Sequence, residues 1–193
     1  MGECYYVSDF VKNRIQNFLK EKDTGGGKAH LANLRRGVGK IPGEMPELWG
    51  VFLESIPERW MRKDGIPSKE EWAIYISLTM FALHQQGHEC SMHLEGESLG
   101  KAVKKLVDYT LEGDEERVLR RFHPLVTATD MLEASHHLRG LIQLLRSKEI
   151  PLDYGKLADD LVSFQILDRK KQVQLRWGQD FYRIFHKEEG EEK

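Results

Sequence analysis

The sequence predicts an all-α protein: two packed helical bundles of about eight to nine helices. Three observations carry that expectation. Apolar residues recur at steps of three and four along nearly every patterned segment, the period of one helix face. No stretch alternates apolar and polar residues for long enough to make a strand. Helix-start and helix-stop residues sit at the borders of the periodic segments.

Val7, Val11, Ile15 and Phe18 step by four, four and three and define a first helix. Asp23-Thr24 and three glycines, Gly25 to Gly27, then predict a flexible loop. A short helix over 28–36 follows, stopped by Gly37-Val38-Gly39, and the proline-containing segment 41–46 reads as a loop. Ser68 and Glu71 have the spacing of a capping box, in which serine accepts from the third helical amide and glutamate reaches back. The helix they open is expected to run to about Gln86 and stop at Gly87. A polar connection over 88–96 leads to a helix marked by Leu99, Val103 and Leu106, ending near Gly113. A short helix over 114–122 precedes Pro124. The strongest pattern is Met131, Ala134, Leu138, Leu141 and Leu145. Asp153 is a candidate cap for a helix carrying Leu157, Leu161 and Phe164. Val173, Trp177, Phe181 and Ile184 mark the last helix.

The 193 residues suit one domain or two small ones sharing a core, with an expected division into 1–95 and 96–193. The longest apolar stretch, 73–83, contains Ser77 and Thr79 and falls well short of the ~20 residues a membrane span needs. No secretory signal is visible, and two distant cysteines, Cys4 and Cys90, make no disulfide framework, so a cytoplasmic setting is expected. Lysine and arginine number 29 against 31 aspartates and glutamates, a net charge of −2. That balance argues against a protein that finds nucleic acid through bulk positive charge.

The neutral total hides segregation. Residues 28–40 hold four bases and no acid, residues 41–58 four acids and no base. Residues 134–148 hold three bases and no acid, and residues 169–183 five bases and one acid. Four more acids lie in the tail, at 188–192. Arg169, Gln172, Arg176, Gln179 and Arg183 form one polar stripe, and His136, Arg139, Gln143 and Arg146 form another. Rows of arginine and glutamine suit phosphates spaced along a strand, because guanidinium groups donate in pairs to phosphate oxygens. Solvated faces balanced by neighbouring carboxylates, or faces that dock acidic proteins, fit the same pattern.

Other constellations are weaker. His84, His88, Cys90 and His93 offer zinc-binding atoms, but their spacing matches no zinc signature, and polar loop residues account for them. His136-His137 lacks a paired carboxylate or nucleophile for acid–base catalysis. Asp159-Asp160 and Glu115-Glu116 lack a nuclease spacing, and Gly25-Gly26-Gly27-Lys28 is no phosphate loop. Trp49, Trp72 and Trp177 could stack on bases, but their apolar neighbours favour core positions. No catalytic residue, metal or cofactor is expected.

Several segments together resemble the CasB family, the small subunit of the type I-E CRISPR surveillance complex Cascade. The resemblance runs through Leu34-Arg35-Arg36-Gly37, Pro42-Gly43-Glu44, Pro46 and Trp49, then Leu83-His84-Gln85-Gln86, Met92-His93 and Ser98-Leu99-Gly100-Lys101-Ala102. It continues with Leu138-Arg139-Gly140-Leu141, Leu144-Leu145-Arg146, Pro151-Leu152-Asp153-Tyr154, Leu157-Ala158 and the run from Arg176 to Tyr182. It spans about residues 28–182. It implies an all-helical, two-bundle, non-catalytic protein that sits, as a pair with a second copy, against the backbone and large subunits of Cascade. Its basic surface would help hold the guide RNA–target DNA assembly and the displaced single strand. Carried onto matching positions, the implied contacts are Arg35, Arg36, Lys101, Arg139, Arg146 and Arg176, with Arg121, Arg169, Lys170 and Lys171 in adjoining basic segments. Acidic Leu94-Glu95-Gly96-Glu97 departs from the basic character expected beside His93 and would suit a protein partner instead.

Overall fold

A computed structural model describes residues 6–183. Cys4, Ile184 and the acidic tail at 188–192 lie outside the described residues. Among those described, nine α-helices follow in order: α1 (Val7–Glu21), α2 (Gly25–Arg36), α3 (Trp49–Phe52), α4 (Lys69–His84), α5 (Leu99–Lys104), α6 (Asp114–Thr127), α7 (Met131–Ser147), α8 (Tyr154–Phe164) and α9 (Leu167–Tyr182). The only extended pairing among them is a single parallel bridge between His93 and Leu152.

The centre of the molecule is α4. The apolar stretch noted above is buried from Ala73 to Ala82 without a polar face, the signature of a helix enclosed on all sides. Helices α1, α2, α7 and α8 surround it. Its capping box forms as the sequence predicts: Glu71 N–H donates to Ser68 Oγ at 2.9 Å, and Ser68 N–H donates to Glu71 Oε2 at 2.7 Å. A second set of contacts joins α5 to α9, α6 to α7 and α8 to α9. Helix α8 therefore packs on α1 and α4 from the first half of the chain and on α9 from the second, and one hydrophobic core runs through both groups.

Three elements differ from the sequence expectation. The glycine triplet is not a loop but the first turn of α2, because Thr24 Oγ1 accepts from Gly27 N–H at 3.0 Å and caps the helix there. Helix α6 does not stop at Phe122. It passes through Pro124 to Thr127, sacrificing one backbone bond near its end while Val118, Phe122 and Leu125 stay buried. Helix α5 ends at Lys104, well before Gly113.

Several resemblance-bearing residues are packing devices. Any Cβ at Gly100 would lie 2.3 Å from the Trp177 carbonyl oxygen, so α5 and α9 meet backbone to backbone. Ser98 Oγ donates to Asp180 Oδ2 at 2.6 Å across the same contact. Tyr75 O–H donates to the Gly37 carbonyl at 3.0 Å, tying the end of α2 to α4, and burial pushes its phenol up to about 12. Asp153 caps α8 through Lys156 N–H at 2.9 Å, and its other oxygen accepts from Gly96 N–H at 2.8 Å.

Candidate nucleic-acid interface

Three helix ends converge on a basic cleft of about 290 Å³. Helix α2 contributes Lys28, Leu31 and Arg35, the α1–α2 turn contributes Lys22 and Asp23, and the segment after α4 contributes Gln85, Gln86, Gly87, His88 and Glu89. Gln85, buried, shapes the far wall. Its amide donates to the His88 and Cys90 carbonyls and accepts from Met92 N–H, which folds residues 88–92 back over the end of α4. Lys22 is paired with Glu89 at 3.3 Å.

Arg146, from the last turn of α7, reaches this border and donates to Gln86 Oε1 at 3.1 Å. Burial, and next the charge of Arg146, hold the Arg35 guanidinium below its ordinary value. Arg35 has no carboxylate partner among the described residues, and neither does Arg146. Two half-buried guanidinium groups on one cleft border, neither in an ion pair, form a site that gains from an anion. The sequence offered both arginines separately, and the fold brings them together.

The solvent side of α7 extends away from this cleft. His136, Arg139 and Gln143 are exposed along it, with Arg146 at one border. On the opposite border, α6 and α7 enclose a second cleft of about 220 Å³ lined by Arg120, Arg121, Pro124, His136, His137, Gly140 and Leu141. Arg120 was not among the sequence candidates, although its place beside Arg121 before a proline was visible.

The remaining candidates lie elsewhere. Arg36 is 3.8 Å from Glu47 at the surface. Lys101 donates to the Gly96 carbonyl. Arg169 and Lys171 are exposed on α9. Lys170 is bound into the fold, donating to the Ala128 carbonyl and lying 4.5 Å from the Phe164 ring centre. Arg176 is also committed inward: it pairs at 2.5 Å with Asp160, a buried carboxylate that accepts from Trp177 Nε1–H at 2.6 Å as well. Burial raises the Asp160 carboxyl, and those two donors oppose the shift. Trp177 is thus a core residue, whereas Trp49 is half exposed and donates to the Gly43 carbonyl at 3.0 Å. The acids after His93 are engaged within the fold, Glu95 with Lys12 of α1 and Glu97 with Lys105.

The histidines of the 84–93 segment face different ways. His84 is buried and its Nδ1 lies 2.9 Å from Tyr154 Oη. The same hydroxyl lies 3.3 Å from the Met80 carbonyl oxygen. Burial, reinforced by His88 and to a lesser degree by Arg146 and opposed by the backbone of Ile150 and Leu145, lowers His84 to about 4. His93 Nδ1 accepts from Tyr154 N–H at 3.2 Å, and Cys90 is exposed. Among the described residues no group of three or more histidine, cysteine or acidic side chains could hold a metal ion. No helix of the described residues is long and apolar enough to cross a membrane.

Comparison with known proteins gives a consistent family. The sequence profile described as CRISPR-associated protein Cse2 matches residues 30–182. The crystal structure of CasB from Thermobifida fusca is 32% identical, with a TM-score of 0.77 over 92% of this chain and 98% of that one. The M. ruber CasB crystal structure is 24% identical and shares the fold, with a TM-score of 0.61 over 88% of this chain and 92% of that one. No curated protein matches the chain.

Proposed function

The chain belongs to the CRISPR-associated Cse2 (CasB) family, and on that premise we propose that it is a non-catalytic small subunit of a type I-E Cascade that grips nucleic-acid phosphates. The observation that carries this reading is that Arg35 and Arg146 border one cleft with an amide neighbour and no ion-pair partner of their own, the cleft's Glu89 being taken by Lys22. Arg139 and Gln143 extend it along α7. Lys101 on α5 and Arg169 and Lys171 at the start of α9 are further candidates. A track of this kind neutralises phosphates without reading bases, so its binding is independent of sequence and sensitive to salt.

Such contacts suit a protein that shifts an equilibrium. Opening a target duplex exchanges one helix for a guide–target heteroduplex of similar stability, so a modest hold on the displaced strand biases the open state. Each charge-assisted contact contributes about 1–2 kcal/mol. The backbone and large subunits of Cascade and a second copy of this chain would hold the subunit in position. A near-neutral protein then needs positive charge only where the strand passes.

The test is the target affinity of a reconstituted Cascade carrying Arg35→Ala and Arg146→Ala. Assembly is expected to be unchanged while target binding weakens about tenfold or more. Unchanged affinity, or loss of assembly without loss of nucleic-acid binding, would favour a protein-docking role for these basic faces and overturn the reading.

A further inference from the structure

The α6–α7 cleft brings four cation-capable side chains to one groove. Arg120 and Arg121 come from α6, and His136 and His137 from α7, with Gly140 leaving the floor open. Neither arginine has a carboxylate partner among the described residues. The two imidazole rings meet edge to face, 5.3 Å between centres. We propose that this cleft is a second phosphate subsite, in which the histidine pair takes up a proton as a backbone phosphate enters.

The argument is electrostatic linkage. Imidazole ordinarily changes charge between about pH 5 and 8, and a phosphate beside it favours the charged form. By reciprocity, a lower pH must then favour the phosphate. The groups facing the pair are few. From α6 they are Arg120 and Arg121, and from α7 itself Glu133, whose carboxylate is 3.9 Å from His137 Nε2. Glu133 is also held by the backbone and hydroxyl of Thr129 and feels the Lys170 charge from α9. Against the two arginines this single acid leaves the groove net positive.

Position adds a second argument. Gly140 in this cleft and Arg146 in the first are six residues apart on α7, about 9 Å along the axis, with Arg139 and Gln143 on the ridge between. One strand lying obliquely across α7 meets both clefts. The proposal rests on the nucleic-acid reading above and adds to it a proton-dependent anchor.

The experiment measures single-stranded DNA affinity of the full chain at about pH 6 and about pH 8 at constant ionic strength. A phosphodiester keeps its charge over that range, so the protein's own groups set any difference. The wild type is expected to bind about three- to tenfold more tightly at the lower pH. His136→Gln with His137→Gln is expected to abolish that difference. An equal pH dependence in the double variant and the wild type overturns the proposal. A parallel titration with inorganic phosphate at one fixed pH follows the ring-proton resonances of the two histidines. Shifts that disappear in Arg120→Ala with Arg121→Ala support the subsite even if DNA binding fails and takes the broader reading with it. Resonances that stay unmoved by phosphate, with no pH effect on DNA binding, refute the subsite alone when Arg35→Ala with Arg146→Ala still weakens DNA.

Discussion

Arg35 and Arg176 both sit in segments of family-like sequence and both looked equally suited to phosphate, yet the fold gives them opposite employment. Arg176 meets Asp160, a buried acid already accepting from Trp177, and closes a bond between α8 and α9. Arg35 lines a cleft whose Gln86 is held by Arg146, and the nearest charge that acts on it is that of this second arginine. An arginine with a buried carboxylate partner serves the fold, because losing it strands a charge in a poorly solvated place. An arginine with only like charge beside it weakens the free protein slightly and gains when an anion arrives. Partner identity, rather than exposure or residue type, separates the two.

That contrast can be broken by exchange of the partners. The largest effect is expected for Asp160→Ala, which removes the acceptor of both Trp177 Nε1–H and Arg176: about 3 kcal/mol of stability, measured by denaturant unfolding. Arg35→Ala with Arg146→Ala is expected to weaken single-stranded DNA binding by about 2 kcal/mol, with the midpoint of unfolding unchanged or slightly raised. Arg176→Ala should do the reverse. It costs about 1–2 kcal/mol of stability, less than a fully buried pair because its side chain is 40% exposed, and leaves DNA affinity per folded molecule unchanged. A DNA-binding loss for Arg176→Ala matching that of the Arg35–Arg146 variant would erase the distinction.

The smallest expected effect comes from His84, buried at the end of α4. Its folded pKa is lowered to about 4, so between that value and the unfolded value of about 6.5 the unfolded chain binds more protons. Stability therefore falls as the pH drops through that window. Going from pH 7 to about 5.5, wild type should lose about 1 kcal/mol relative to His84→Gln. Parallel pH curves for the two proteins would contradict the buried, neutral assignment.

Much of the fold was legible because its signals are local. The capping box at Ser68, the cap at Asp153 and the spacing of Met131 to Leu145 each depend on residues within a few positions. The glycine triplet misled because one hydroxyl, on Thr24, outweighs the low helix propensity of three glycines at a first turn, where few backbone bonds are at stake. Pro124 misled because the helix was nearly finished and its apolar face still had α7 to pack on. The site was legible only in parts. Arg35 and Arg146 are 111 positions apart and nothing local says that they meet, nor that Asp160 claims Arg176. Arg120, His136 and His137 become a group only when α6 lies against α7.

The most direct test of the central claim is the salt dependence of single-stranded DNA binding by the full chain, wild type against Arg35→Ala with Arg146→Ala. If these two side chains each neutralise a phosphate, the double variant neutralises two fewer, and the slope of log affinity against log salt becomes shallower by about 1.4. An unchanged slope together with unchanged affinity would mean that no strand passes the Arg35–Arg146 cleft.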